Sequence, residues 1–298
     1  MIKQYKVAGH NYRVIFKDGG INDERLIKSS EPFETEVTDV PLLFELYVDD
    51  SFRPEVRGKE VGQFESVGNN NGVYIREDGS YEIHMSNYLK EQCCLLDASP
   101  DFSKVRIALN GDFYMRKFGI NNALMMTMAF AAADKETVLI HASVVRENGY
   151  GYPFLGVSGT GKSTHTGNWL KYIPGTDLMN DDNPVVRIVD GVPVIFGSPW
   201  SGKTPCYRNV QAPIGAFTQL KQAPYNKIRR ESVVEAFASI LPSCSVMKWD
   251  RRIYSGICDT VAKIIETVPA YLLENLPDED AVKLSFNTIR VKQDEKNG

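Results

Sequence analysis

Eight residues, Gly156–Ser163 (GVSGTGKS), constrain this chain more than any others. They satisfy G-x-x-x-x-G-K-[ST], a pattern that average residue frequencies produce by chance in about one chain in a hundred of this length. The pattern carries meaning only between a buried strand and a helix. Tyr152–Val157 reads as that apolar strand, and the segment THTGNWLKYI as the helix, beginning at Lys162. Glycine at 156, 159 and 161 lets the backbone curl so that successive N–H groups face one anion, with Ser158, Thr160 and Thr164 completing the cradle. The helix N-terminus adds its positive end. In such a loop Lys162 reaches the β- and γ-phosphates of a nucleotide, and the Ser163 hydroxyl ligates Mg²⁺.

A carboxylate must then stand at the end of a neighbouring strand for the metal, and a base must take the proton of a hydroxyl acceptor. Asp181 and Asp182 follow Lys162 by nineteen and twenty positions at the end of a short strand. They divide those tasks, Asp181 to the metal and Asp182 to the proton. Unsupported, the same pair before Asn183-Pro184 would read as a solvated turn. His141 lies within the apolar run Val138–Val145, which is expected to form one strand. If the hairpin turns on Asn148-Gly149 with two loop residues, paired numbers sum to 297 and His141 faces Gly156. A core histidine bonded to backbone is the plainer alternative. His10, His84 and His165 lack that geometry and read as structural. Arg208 and Lys203, in a glycine-containing loop, are candidates to face the charge of a transferring phosphoryl group, although loop cations are more often merely solvated. Trp200 either flanks a base or acceptor or packs beneath that loop.

Elsewhere the patterning divides the chain. Residues 1–117 read as a mostly antiparallel β domain, with strands at Tyr5–Phe16, Leu42–Val48, Gly72–Ile75 and Tyr81–Met85 and a turn at Asp78-Gly79. Residues 118–298 alternate helix and strand. A helix is expected over Asn121–Ala133, a hairpin at Val185–Val189 and Val192–Phe196 around Asp190-Gly191, and a helix capped by Ser232 with Val233, Val234, Phe237, Ile240 and Leu241 on one apolar face. Further helices are expected from Trp249 to about Val268 and over Glu279–Arg290. The basic run Lys227, Arg229 and Arg230 reads as a solvated face, or more weakly as the mark of an acidic partner.

A net charge of −4 argues against nucleic acid as a partner. Five scattered cysteines without C-x-x-C suggest neither a disulfide framework nor a zinc site. No apolar run is long enough to span a bilayer, so a cytoplasmic location is expected.

The segments LIHASVV, YPFLGVSGTGKST and MNDDNPVV together resemble the catalytic domain of HPr kinase/phosphorylase and its relatives, a group sharing its nucleotide-binding core with phosphoenolpyruvate carboxykinases. The resemblance covers about Asn121–Val210, and the C-terminal helices loosely. It implies an α/β (overall α+β) fold with a P-loop core of mixed sheet and helices. It also implies that His141 is the active-site histidine, Lys162 the P-loop lysine, Ser163 the magnesium-binding hydroxyl, Asp181 the Walker-B-like aspartate and Asp182 the proton-accepting carboxylate. Val157 and Thr164 depart from the loop of HPr kinases proper. The stretch that carries their metal-binding glutamate has no counterpart, and GSPWSGK at 197–203 stands in its place. The expected activity is an ATP- and Mg²⁺-dependent kinase acting on a hydroxyl of a protein, peptide or small molecule. A carboxykinase-like enzyme and a catalytically silent nucleotide-binding module are the alternatives, and a homo-oligomer is compatible with either.

Overall fold

A computed structural model describes residues 1–53, 58–66, 69–202 and 204–291. The chain is a mixed α/β protein with three sheets and few helices, divided into two compact units. The first comprises Met1–Asp134 with Val246–Tyr254, the second Lys135–Ser245 with Ser255 onward.

The first unit holds a nine-stranded sheet in the order β3-β1-β2-β4-β9-β8-β7-β6-β5. Its strands are β1 (Ile2–Val7), β2 (His10–Phe16), β3 (Glu34–Thr35), β4 (Phe44–Val48), β5 (Lys59–Ser66), β6 (Asn69–Ile75), β7 (Tyr81–Ser86), β8 (Gln92–Ala98) and β9 (Lys104–Leu109). The segment expected as one strand over Tyr5–Phe16 is instead a hairpin. Ala8 and Gly9 both take positive φ, the two-residue turn that matches strand twist, and Val7 pairs with His10. Helix α1 (Phe113–Ala131) starts eight residues before the expected Asn121, because the Asp112 side chain accepts the Met115 N–H at 2.9 Å and caps it. A Cβ on Gly119 of α1 would stand 2.9 Å from the Cys93 carbonyl, so this glycine permits close packing of the helix on β8.

The second unit contains two sheets. One, ordered β10-β14-β15-β16, consists of β10 (Thr137–Leu139), β14 (Val185–Val189), β15 (Val192–Phe196) and β16 (Gln211–Pro213). The other is ordered β13-β11-β12-β17-β19-β18 and comprises β11 (Ala142–Glu147), β12 (Tyr150–Leu155), β13 (Asp177–Asp182), β17 (Phe217–Gln222), β18 (Lys227–Arg230) and β19 (Ala270–Asn275). Helices α2 (Lys162–Tyr172) and α5 (Glu279–Ile289) cover one face of it, with Trp169, Phe154, Tyr152, Leu220, Leu273 and Val282 at the centre of that core. The hairpins at Asn148-Gly149 and Asp190-Gly191 form with the expected two-residue turns. Lys227, Arg229 and Arg230 lie on the edge strand β18, where Arg229 pairs with Glu235 at 2.9 Å.

Two expectations need correction here. The apolar run Val138–Val145 is not one strand: β10 and β11 belong to different sheets and part at Ile140-His141. There the Ile140 N–H donates to the Pro184 carbonyl and the His141 N–H to the Ser243 carbonyl, which takes His141 out of both ladders. Helix α3 (Val233–Ile240) has the expected Ser232 cap, completed by Glu235 as a capping box. Its buried stripe is Ala236 and Ile240, however, and Val233 and Val234 are exposed. Helix α4 (Arg251–Thr267) buries Ile253, Ile257, Val261 and Ile264 at helical spacing.

Candidate active site

Strand β12 is buried from Gly151 to Leu155 and passes directly into the glycine loop. Gly156, Gly159 and Gly161 have φ of 148°, 87° and 100°, conformations that side-chain-bearing residues rarely adopt. A Cβ at Gly156 would lie 2.5 Å from Thr160 Oγ1, whereas nothing lies within 4 Å of one placed at Gly159 or Gly161. The loop is pinned from within by Thr160 Oγ1 donating to the Val157 carbonyl at 2.8 Å. From β17, Gln222 Nε2 donates to the Gly159 carbonyl at 3.1 Å. Gly161 is the N-cap of α2 and offers no side-chain acceptor, so the first N–H groups of that helix have no capping side chain. Ser158 in the loop and Ser163 and Thr164 on the first turn of α2 are exposed.

Lys162 turns inward and is 9% exposed. Its Nζ donates to the Gly156 carbonyl at 2.8 Å and meets His141 Nε2 at 2.9 Å. Burial pulls this ammonium below its ordinary pKa, and Asp182 and Asp181 act in the opposite sense. On the other side of the ring, His141 Nδ1 lies 3.0 Å from Asp182 Oδ1. An ammonium can only donate, so Nε2 accepts and the ring proton resides on Nδ1, pointing at the carboxylate. Lys162, His141 and Asp182 thus form one hydrogen-bonded row. Asp182 Oδ2 accepts from Asn183 Nδ2 at 2.7 Å. The His141 and Asp182 side chains are 43% and 30% exposed, which leaves the row open to a reactant.

Asp181 is the neighbour of Asp182 on β13, and successive strand residues point to opposite faces. It is buried, its Oδ1 accepting from Ser143 Oγ at 2.7 Å, and Ser143 Oγ lies 2.8 Å from Thr166 Oγ1 of α2. Asp181 Oδ2 is buried with no hydrogen-bond partner. Ser143 and Thr166 belong to no sequence motif. Their only signals were positional, Ser143 two residues beyond His141 and Thr166 one helical turn beyond Lys162.

Arg208 is not brought to this site. It donates to Asp177 Oδ2 at 2.9 Å and to the Leu178 carbonyl, and Arg146 holds the same carboxylate through Nε at 3.0 Å and a terminal nitrogen at 2.7 Å. Asp177 begins β13 and Asp182 ends it, so five strand steps, roughly 16 Å, separate them. A two-sided demand for cations at Asp177 captures the guanidinium. Lys203 lies outside the described residues. Trp200 is buried, with its carbonyl accepting from Asn180, and so packs beneath the loop. His165 is buried under α2, where Trp169 Nε1 donates to its Nε2 at 3.2 Å, and desolvation lowers its pKa to about 4.

No protein-family model matches the chain, and no curated protein is similar to it in sequence. Among solved structures it is similar to the Hpr(Ser) kinase/phosphatase from Coxiella burnetii, at 14% identity over 49% of this chain and 89% of that one, with a TM-score of 0.29. A likeness that loose carries no argument about activity, and the site stands on its own geometry. Among the described residues no helix is long and apolar enough to cross a membrane.

Proposed function

We propose that the chain is an ATP-dependent kinase that transfers the γ-phosphoryl group to a hydroxyl acceptor, with the second unit, Lys135–Ser245 and Ser255 onward, as its catalytic part. The observation that carries this reading is the row Lys162–His141–Asp182, placed beside a positive-φ glycine loop that opens a helix. Backbone N–H groups of Gly156–Thr164 receive the phosphates, and Lys162 leaves the Gly156 carbonyl for the β- and γ-phosphate oxygens. The residues present also suit a magnesium ion. The unpartnered Oδ2 of buried Asp181 is an acceptor in want of a donor or cation, and the Ser163 hydroxyl sits on the first turn of α2. Among the described residues no cage of three or more ligating side chains forms. Mg²⁺ commonly keeps its waters and leans on substrate phosphates, so Ser163 and Asp181 would suffice to hold it. When bound it supplies charge neutralisation at the phosphates.

Asp182, fixed by the Nδ1–H of His141, takes the proton of the acceptor hydroxyl. The freed oxygen bonds to the γ-phosphorus, the bond from that phosphorus to the bridging oxygen breaks, and ADP departs. The first test is Mg²⁺-dependent ATP turnover by the wild type beside Lys162→Ala. Turnover that disappears in the variant supports the reading. Tight ATP binding without turnover would favour the silent module, and oxaloacetate-dependent release of CO₂ the carboxykinase-like enzyme.

A further inference from the structure

Asp182 is the last residue of β13, where the ladder ends and a carboxylate would ordinarily be free to wander. A buried polar knot holds it. Asn180 lies two residues back on the same face and has no solvent exposure. Its Oδ1 accepts the backbone N–H of Asp182 at 3.0 Å, and its Nδ2 donates to Ser198 Oγ at 3.2 Å and to the Trp200 carbonyl at 3.1 Å. Ser198, equally buried, donates to the Asn183 carbonyl at 2.6 Å and accepts the Trp200 N–H at 3.2 Å. The end of β13 is thereby tied to the loop after β15.

That loop then runs along the strand. The Gly202 N–H donates to the Asp181 carbonyl at 3.0 Å, and Ser201 forms an isolated bridge with Asp182. A Cβ on Gly202 would stand 2.7 Å from the Asp181 carbonyl oxygen and 3.3 Å from Asp182 Cβ, so only glycine allows this approach. Burying an amide brings stability only when its groups are all matched, and an apolar residue fills such a place at less risk. Met179, next on the same strand and also fully buried, does so. What a matched polar knot adds is a single geometry.

We propose that Asn180 is a positioning residue for Asp182, acting through the Asp182 N–H on one side and through Ser198 and Trp200 on the other. It sets the carboxylate against His141 without touching the nucleotide loop. Transfer therefore depends on it and nucleotide binding does not. The role rests on the phosphotransferase reading, and the test separates the failure of one from the failure of the other.

Asn180→Asp keeps size and the accepting oxygen but turns an oxygen toward two acceptors, while Ser198→Ala cuts the knot from the loop side. Mg²⁺-dependent ATP turnover and ATP affinity are measured for both, alone and in the Asp182→Asn background. Each single change is expected to lower kcat about 30-fold with KM and affinity for ATP changed less than about threefold, and to cost nothing further once Asp182 is Asn. Unchanged kcat in both variants overturns the role. So does a loss that multiplies with that of Asp182→Asn, or one that ATP affinity follows in parallel, either of which marks a structural residue. Should Asn180→Asp not fold, Ser198→Ala decides alone. A wild type that binds ATP and never turns it over fails the phosphotransferase reading and takes this role with it.

Discussion

At one end of β13 the carboxylate of Asp177 is clasped by two guanidinium groups; at the other, that of Asp182 faces an imidazole and a primary amide. The two are the same chemical group at opposite ends of one six-residue strand. Arg146 and Arg208 meet Asp177 with fixed charge, which saturates it and holds its pKa below the ordinary carboxylate value, Arg146 first. Asp182 instead meets the His141 ring and the Asn183 amide, and Lys162 stands one residue further along the row. A carboxylate clamped by arginines is spent on structure. On the proposed reading, the one held by an imidazole and an amide beside the glycine loop is left for the acceptor hydroxyl.

Several substitutions test that contrast. Lys162→Ala should have the largest effect, loss of ATP binding and turnover together, read by calorimetry and a coupled ADP assay. ATP affinity retained in this variant would remove the loop from the account. His141→Ala takes away both the acceptor for Lys162 and the donor to Asp182, so kcat should fall on the order of 100-fold with ATP affinity nearly kept. Equal turnover would show that Asp182 needs no orienting ring.

Arg208→Ala addresses the other end of the strand. Turnover should stay within about twofold of wild type, while stability falls by at most about 1 kcal/mol, seen as a small drop in Tm, since the pair is partly exposed. A hundredfold loss of kcat would break the comparison and return Arg208 to the site.

The smallest effect concerns pH. The Arg146 and Arg208 guanidiniums hold the folded pKa of Asp177 below the ordinary carboxylate value, so its pairing stabilises the fold above that ordinary value and ceases to do so as pH falls through the lower folded one. The stability gap between wild type and Asp177→Asn should therefore be present at neutral pH and close in acid, below the ordinary carboxylate range, in denaturant titrations run from neutral to acid pH. A gap unchanged in acid would mean that charge is not what holds this end.

Much of this arrangement was legible in residues close together in the chain. Asn148-Gly149 fixed the register that puts Ala142 opposite Leu155, and with it the neighbourhood of His141, because a two-residue turn leaves no freedom. Ser232 announced its helix through a local side-chain bond. What escaped was set by distant partners. The break at Ile140-His141 needs the carbonyl of Ser243, about a hundred residues on, and the fate of Arg208 was decided by Asp177, thirty-one positions earlier. The apolar face expected of α3 failed because its eight residues turn only Ala236 and Ile240 inward, a choice that periodicity leaves open in so short a helix.

Whether Asp182 is the base is decided by Asp182→Asn. The amide keeps the shape and one accepting oxygen toward His141 but loses the base. ATP affinity should stay within about threefold of wild type while kcat falls by roughly 10² to 10⁴. An Asp182→Asn variant that transfers phosphoryl groups at the wild-type rate would contradict that role.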